Sequence, residues 1–432
     1  MESETLAMMP PLAVNPEVVY DYPRAVQGLG YKRRRFPKVI QSATVDRVAL
    51  TNGGGGGVVI LFKIPLGGTN EIIDLRDLVF RGYVQLAGTR DLIPTLGLMG
   101  GLITELRIRH SEGGMISQTI NYDRCYSAMF PFMSTDAVNQ IKALDFAGAT
   151  VATGSAFYAK HAIMSALSSM PNLLPSFMMR GDLLVEIVVV PNAQYVGALS
   201  GASTNQVITY TNMELEYSRI VVDSSLALSM SAELLAKDKA WIQTTGFVSS
   251  SSQISAGATD IQLNLNHPRV KTILLWMARA PAAVTNHTVN RQSNYVNSYQ
   301  IYLNDKPLFA RPQTLDPGAA INTYTAAADP IREAMSCFKN LSDIYRGFRP
   351  TVLEFTADGQ IDTNSSQGLV MACDMDPLNL NDVVADNAVR IQDGIRLNLT
   401  YGGVGQVATT LYGMYITEER LYIDRSGILR KI

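Results

Sequence analysis

The sequence predicts an all-β protein made of two tandem eight-stranded jelly-roll β-sandwiches, with short helices in the loops. Three observations support this prediction. The 432-residue chain is too long for one ordinary core and suits two domains. Short apolar segments with alternating polar residues are bounded by turn-forming Gly, Pro, Asn and Asp, a pattern that is typical of antiparallel sheets. Residues 213–223 and residues 414–424 also resemble each other, which indicates that one β-unit occurs twice.

The two similar segments share the spacing of three residue types. The first has Met213, Arg219 and Asp223, and the second has Met414, Arg420 and Asp424, with an apolar or aromatic triplet between the Arg and the Asp. Neither segment has helical periodicity, so each is predicted to be the closing strand of its unit. Other landmarks recur in the same order, namely residues 78–86 with 270–278, 105–110 with 298–304, and 183–189 with 395–401. The predicted boundaries are an N-terminal arm at 1–36, a first jelly roll at 37–224, a linker at 225–239 and a second jelly roll at 240–432.

Residues 1–36 are predicted to be an irregular arm, because four prolines prevent a regular helix there. Between residues 24 and 38 the chain has basic side chains and no acidic ones, namely Arg24, Lys32, Arg33, Arg34, Arg35 and Lys38. This run has two interpretations. It is either a solvated tail at a positively charged entry to the fold, or an inward-facing arm that contacts nucleic acid or an acidic neighbour.

Strands are predicted in the first half at residues 39–48, 58–64, 74–86, 102–110, 183–191 and 207–223. The five glycines at 53–57 suit a flexible hairpin tip, since a phosphate-binding loop would be followed by a helix and a strand-like stretch follows instead. Residues 121–141 are predicted to include a helix. Residues 143–166 are rich in Ala, Gly and Ser and are predicted to be a long excursion rather than a core strand. Residues 224–239 have apolar side chains at helical spacing and are predicted to be a connecting helix.

The second half repeats this plan. Strands are predicted at residues 241–249, 260–265, 270–278, 298–304, 351–358, 368–374, 395–401 and 411–424. The long excursion at 316–346 is predicted to contain a helix near residues 331–340. With about eight short strands in each unit and long loops between them, the pattern favours a jelly roll in each half.

Composition narrows the class of function. Charged residues make up 17% of the chain, against roughly 25% in typical soluble proteins, and we interpret this as surface that is hidden against other subunits. The net charge of −2 argues against a chain that binds nucleic acid over its whole surface. Cys125, Cys337 and Cys373 form neither a disulfide framework nor a C-x-x-C metal site, which suits a reducing compartment. No signal peptide and no apolar run of membrane-spanning length is predicted.

At this point the chain resembles the double jelly-roll major capsid proteins of icosahedral DNA viruses, the hexon-like lineage. The resemblance lies in the ordered repeat and in residues 102–114 and 298–307, which are similar to a strand and turn of that family. Residues 121–124 and 316–346 are similar in position to its inserted loops. The resemblance covers about residues 37–425 and is specific in layout rather than in signature motifs. It implies three copies in a pseudo-hexameric capsomer, short outward towers, and residues 1–38 on the inner side of a shell.

Few individual residues are candidates for a site. Arg180, Gly181 and Asp182 match the tripeptide of integrin-type recognition, and they also stand where a glycine turn before a strand is expected. No catalytic residue, cofactor or metal ligand is predicted. The G-x-G-x-x-A pattern at residues 403–408 is followed by a strand-like segment rather than the helix that a dinucleotide site needs. The four histidines share no metal spacing, and the carboxylates are too scattered to nominate an acid–base pair.

We therefore predict a structural protein without enzymatic activity, a major capsid subunit that trimerises and builds an icosahedral virion shell. Its expected partners are its own copies, neighbouring capsomers, minor capsid or penton proteins, and the genome or an internal membrane at the N-terminal arm. It is expected in the virion and to be made in the host cell cytoplasm. Two alternatives stay open, namely a tandem β-sandwich that binds carbohydrate or a receptor, and a capsid protein with one shell jelly roll plus a projecting domain.

Overall fold

The computed structural model describes residues 32–36, 47–51, 58–68, 70–170, 173–199, 206–222, 224–237, 239–279, 291–292, 294–303, 305–315, 328–339, 369–375, 389–391, 394–402 and 406–432. The strands of the first half are β1 (Lys32–Phe36), β2 (Arg47–Thr51), β3 (Val59–Pro65), β4 (Glu71–Ala87), β5 (Leu92–Pro94), β6 (Ile103–His110), β7 (Gly114–Ile120), β8 (Ala156–Ala162), β9 (Asp182–Val189), β10 (Gly197–Leu199) and β11 (Val207–Val221). Its helices are α1 (Tyr122–Met129) and α2 (Thr135–Asp145).

Helix α3 (Ser224–Lys237) joins the halves, as the sequence predicts. The second half contains β12 (Lys239–Ile254), β13 (Asp260–Leu263), β14 (His267–Arg279), β15 (Arg291–Gln292), β16 (Val296–Leu303), β17 (Lys306–Pro307), β18 (Gln313–Thr314), α4 (Ala328–Lys339), β19 (Met371–Asp374), β20 (Val389–Ile391), β21 (Ile395–Tyr401), β22 (Thr409–Asp424) and β23 (Leu429–Lys431).

The two halves have the same antiparallel sheet topology. In the first half, one sheet has β1 and β2 on one side of β11, followed by β4 and β8, and the other has the order β3-β9-β6-β7. In the second half, the corresponding orders are β12-β22-β14-β19 and β13-β21-β16-β17. Each half thus has two facing sheets with four equivalent strand positions each, to which further short strands are added at the edges. Most consecutive strands of a half lie in different sheets, which is the jelly-roll arrangement. The predicted fold class and the predicted duplication are confirmed.

The closing strands β11 and β22 hold equivalent places at the centre of their sheets. β22 pairs with β12 from Lys239 opposite Asp424 to Ile254 opposite Thr409. β11 pairs instead with two separate strands, β1 opposite residues 217–221 and β2 opposite residues 207–211. β1 and β2 together therefore take the place of the continuous strand β12.

This pairing corrects the prediction of an irregular arm for residues 32–36. The prolines that exclude a helix do not exclude an edge strand, and β11 supplies the backbone partners that β1 needs. A second prediction was also wrong. Residues 143–166 include β8, which pairs with β4 from Ala156 to Ala162 despite its Ala-rich sequence. The predicted strand at 351–358 and the glycines at 53–57 lie outside the described residues.

The core of each half lies between its two sheets. In β9, Leu183, Val185, Ile187 and Val189 are buried and the residues between them are half-buried, so the period of two places one apolar face inward. Phe62 of β3 and Phe80 of β4 meet across the layers with ring centroids 5.8 Å apart at 69°. Removing these faces from water supplies the main stabilisation of each sandwich.

A buried polar cluster fixes the loops at one end of the first sandwich. The Asp145 carboxylate accepts hydrogen bonds from the backbone N–H groups of Met99 at 2.7 Å and Gly100 at 2.9 Å. His161 Nε2 lies 2.9 Å from the Tyr122 hydroxyl, and Met164 N–H donates to that hydroxyl at 2.9 Å. Burial lowers the pKa of His161 to about 3, so the ring is neutral. Burial also raises the pKa of Asp145 well above its ordinary value.

Candidate functional site at the junction of the two sandwiches

The two sandwiches contact each other along β7 of the first and β12 of the second. Thr119 Oγ1 donates to the Phe247 carbonyl at 3.4 Å, and Ser249 Oγ donates to the Ile120 carbonyl. The edge strand β7 of the first sandwich therefore lies against β12, at the edge of the sheet that contains β22 and β14. We call this sheet the main sheet of the second sandwich, and the sheet that contains β11 and β4 the main sheet of the first. A contact of this kind fixes the relative orientation of the two units.

Helix α1 extends this contact. It begins after Asn121, whose left-handed conformation turns the chain out of β7, and it ends where Pro131 enters a short 3₁₀ turn. The Arg124 guanidinium lies 5.3 Å from the centroid of the Tyr412 ring. That ring stacks on Trp276, with centroids 6.0 Å apart. Trp276 is 1% exposed, so the first sandwich covers the outer face of β14 and β22.

Two buried arginines meet at this junction. Arg291 of β15 donates from Nη1 to the Ser127 hydroxyl at 2.9 Å and also to the Ser127 carbonyl. Burial, together with the nearby charge of Arg124, lowers the pKa of Arg291 to about 9. Burial likewise lowers the pKa of Arg124, which lies 3.9 Å from the Asp123 carboxylate. Buried charges of this kind contribute little net stability, and they penalise any arrangement that leaves one of them unpaired.

Asp123 gives the junction a pH dependence. Burial raises the pKa of Asp123 to about 6, and the charge of Arg124 opposes that shift without cancelling it. A raised pKa in the folded state means that the folded chain binds the proton more tightly than the unfolded chain. The contribution is fully present below pH 4 and is lost as the pH rises through 6, by about 3 kcal/mol for a shift of this size.

We expect Asp123→Asn to remove this dependence. The free energy of unfolding of the wild type minus that of Asp123→Asn should fall by about 3 kcal/mol between pH 3 and pH 7. Other titrating groups cancel in this difference, which can be measured by urea unfolding followed by circular dichroism. A difference that rises with pH would contradict the assignment.

A second contact joins the C-terminal turn to the first sandwich. The Arg180 N–H donates to the Gly427 carbonyl at 2.9 Å. A Cβ on Gly113, in the turn between β6 and β7, would lie 1.9 Å from the Leu429 carbonyl oxygen, so only glycine allows this approach. The end of the chain is thus packed on the half from which it is most distant in sequence.

The predicted receptor tripeptide lies at this contact. The Arg180 guanidinium pairs with Glu112 at 2.8 Å, and the Asp182 carboxylate pairs with Lys63 at 2.8 Å. Gly181 has φ of +79°, which only glycine adopts freely, so the expected glycine turn is present. These pairs give the tripeptide a structural role in the turn, and receptor contact by it stays a prediction.

The predicted basic residues are only partly described. Lys32, Arg33, Arg34 and Arg35 lie in β1, at an edge of the first main sheet, while Arg24 and Lys38 lie outside the described residues. Lys239 starts the equivalent strand of the second sheet, and its ammonium lies 4.8 Å from the Tyr422 ring centroid. In both main sheets, then, the first strand begins with a basic residue.

Sequence reasoning missed the junction residues themselves. Asp123 and Arg124 were noted only as part of an inserted loop, and Arg291 was not singled out. From sequence alone, a charged residue in a loop is predicted to be solvated unless a partner is known. The only indication that these residues could be buried was the prediction of a second sandwich against which the loop could pack. Among the described residues, no three His, Cys, Asp or Glu side chains could hold a metal ion. The described helices also include none that is long and apolar enough to cross a membrane.

Comparison with known proteins identifies the fold. No protein-family model and no curated protein matches the chain. Among solved structures, VP54 of PBCV-1, fitted into a reconstruction of the Sputnik virophage, is 12% identical, with a TM-score of 0.59 over 93% of this chain and 97% of that one. A quasi-atomic model of the PBCV-1 virus capsid is 15% identical, with a TM-score of 0.56 over 93% and 96%. A Sputnik virophage chain is 11% identical, with a TM-score of 0.55 over 92% and 87%. At these identities the likeness shows the fold, and over nearly its whole length this chain has the double jelly-roll fold of major capsid proteins from icosahedral DNA viruses.

Proposed function

We propose that this protein is a major capsid subunit that trimerises into pseudo-hexameric capsomers of an icosahedral shell. The observation that carries the proposal is the docking of two sandwiches of identical strand order in one chain, edge against face. Three such chains in a ring present six equivalent units, and six units match the sites of a hexagonal lattice. The likeness in fold to viral capsid structures supports the same conclusion.

The chemistry of the chain suits assembly rather than catalysis. Subunit contacts of standard size bury roughly 800 Å² on each partner, and a chain with 17% charged residues desolvates such areas at low cost. The edge strand β7 is covered by β12, which protects it from pairing with foreign strands. No catalytic role is proposed for any residue.

Several finer parts of the proposal rest on sequence and position. We propose that the arm ends before Lys32, because β1 belongs to the first sandwich, and that the linker between the two jelly rolls has its boundaries at 224/225 and 239/240. We propose that the basic residues Lys32–Arg35, with Arg24 and Lys38, face the shell interior, where genome, an internal membrane or minor proteins would meet them. Production in the host cell cytoplasm and receptor contact by residues 180–182 belong to the same proposal.

The carbohydrate-binding alternative would be favoured by exposed tryptophan platforms. Trp276 is buried beneath the first sandwich, and Trp241 lies between Tyr422 and Lys239, whose ring and ammonium are close to it. The alternative with one shell domain and one projecting domain needs halves of different topology, whereas the two halves here share the same central strand order in both sheets. We therefore favour the double jelly-roll capsid subunit.

The oligomeric state tests the proposal. Light scattering of the purified chain should give three times the 47.1 kDa chain mass, and electron microscopy should show pseudo-hexagonal particles or shells. The mass should change little with dilution, because an interface of capsid size dissociates slowly. A chain that remains monomeric at every concentration would contradict the proposed function.

A further inference from the structure

The strand register places Tyr83 of the first sandwich where the second has Trp276. The closing strands align Met213 with Met414, and the same offset aligns Thr211 with Tyr412. Thr211 is opposite Tyr83 in the pairing of β11 with β4, and Tyr412 is opposite Trp276 in the pairing of β22 with β14. A β-bulge between Thr211 and Glu214 has no counterpart in β22, so Met213 and Met414 lie on opposite faces of their sheets. Tyr83 and Trp276 are comparable because both lie on the outer face of the equivalent strand, β4 or β14.

One of these outer faces is covered and the other is open. Around Trp276, the side chains of Leu274 and Met414 are buried where the first sandwich packs over them. Around Tyr83, the equivalent face carries Tyr158, which is 57% exposed and contacts Tyr83 with ring centroids 5.4 Å apart. We define this open face by its side chains Arg81, Tyr83, Tyr158, Lys160 and Glu214.

The strands that cover such a face also differ between the halves. In the first half, Thr119 of β7 is buried against β12 of the second sandwich. The equivalent strand position of the second half, next to β16, is held by β17 and β18. Lys306, Pro307, Arg311 and Thr314 are exposed along this free edge, which we define as residues 306–314. Within the described parts of the chain, the first sandwich thus has an open face and the second has a free edge. These are the two kinds of surface that meet at the internal junction.

We propose that the open face of the first sandwich receives the free edge of the second sandwich from another copy of this chain. The inference rests on the proposed trimer and assigns the surfaces that form it. Each copy uses its open face to bind the free edge of one neighbour and its free edge to bind the open face of the other, so the contact is heterologous. Heterologous contacts close into a ring when the rotation from one copy to the next is a whole fraction of a full turn. A ring of three copies would then contain six similar junctions, three within the chains alternating with three between them.

The chemistry of the two surfaces is compatible. On the open face, Arg81 pairs with Glu214 at 2.6 Å and Lys160 pairs with Glu216 at 3.3 Å, so its charges are already balanced. The free edge adjoins Asp305 and begins with Lys306, so it also carries both signs. The tyrosine pair supplies large, rigid contact area, and tyrosine is among the residues enriched in the energetic centres of interfaces. The contact would be more polar than the internal junction, which suits chains that fold first and then associate.

Tyr158→Asp tests the assignment, with Leu228→Asp as its control. Leu228 of α3 is 71% exposed and lies on neither surface, so the two variants make the same change in charge at exposed positions. We expect Tyr158→Asp to weaken the trimer at least 100-fold in dissociation constant, whereas Leu228→Asp should remain trimeric, both measured by light scattering over a dilution series. Circular dichroism checks that each variant is folded. A monomeric wild type would overturn the proposed function, whereas a wild-type trimer that Tyr158→Asp leaves unchanged would overturn only this assignment.

Cross-linking provides a test that needs no substitution. Unlabelled and ¹⁵N-labelled chains are mixed under dissociating conditions, reassembled and treated with a short amine-reactive reagent. Mass spectrometry should then find Lys160 of one copy joined to Lys306 of the other, because these lysines lie on the open face and at the free edge. Trimers whose cross-links between copies never join these two surfaces would overturn the inference.

Discussion

Replacing Trp276 with alanine is expected to lower the free energy of unfolding by about 3–5 kcal/mol, the usual range for a buried aromatic side chain. Trp276 is 1% exposed, stacks on Tyr412, and lies under the helix that carries Arg124. The cavity would form at the contact of the two sandwiches, where neither can collapse into it without moving the other. The loss should therefore fall in the upper part of that range.

The other tryptophan of the chain is the matched control. Trp241 is half-buried near the start of β12, next to Tyr422 and Lys239, so Trp241→Ala removes the same atoms from a site that water can fill. We expect a loss of about 1 kcal/mol for this variant. The two losses can be compared by measuring urea unfolding of the wild type, Trp276→Ala and Trp241→Ala by far-ultraviolet circular dichroism. Equal losses would mean that the junction is not a packed interface.

The sequence was most informative where a pattern was repeated. The shared spacing of Met, Arg and Asp near residues 213 and 414 predicted both central strands, because each has to satisfy the same neighbours in its sheet. Residues 183–189 and 395–401 were likewise predicted as equivalent strands, and they are β9 and β21. A strand that is buried in both halves of the chain shows the same apolar pattern twice in the sequence, so it is easier to identify.

Strands at sheet edges were predicted poorly. β1 has four consecutive basic residues, and β8 has alanines at both ends and at its centre, so neither shows a strong alternating pattern. Both lie at the ends of the strand order β1-β11-β4-β8. Such strands are defined by one neighbour rather than two, and their own composition is less constrained. The helices α3 and α4 were predicted because their apolar spacing is local.

The buried charges could not be predicted at all. Asp123, Arg124 and Asp145 lie in segments that read as polar loop or helix surface, and nothing in their neighbours along the chain indicates burial. Their partners come from residues far away in sequence, such as Tyr412 for Arg124 and the turn at Met99 for Asp145. Such pairs become visible only when the packing of the loops is known.

Asp145→Ala is the second large effect that we expect, with a loss of about 2–6 kcal/mol in the free energy of unfolding. The carboxylate is the acceptor for the N–H groups of Met99 and Gly100, and each buried donor left without an acceptor costs about 1–3 kcal/mol. Gly97 lies directly against this carboxylate with φ of +98°, so the substitution leaves a void beside a turn residue whose conformation glycine adopts freely. The turn would have to admit water or unfold locally.

Asp136→Ala, on the same helix, is the control for Asp145→Ala. It also removes a carboxylate, but not one that accepts hydrogen bonds from Met99 and Gly100. Asp136 is exposed in the first turn of α2, where a carboxylate stabilises the helix by about 0.3–1 kcal/mol. Asp145 is the last residue of that helix, where the helix dipole disfavours a negative charge, so any stabilisation by Asp145 has to come from the two N–H groups it accepts. Urea unfolding should therefore rank Asp145→Ala well below Asp136→Ala in stability, with hydrogen exchange of the Met99 and Gly100 amides accelerated only in the former. If both variants lost the same small amount, the turn would be held by its apolar packing and the carboxylate would be incidental.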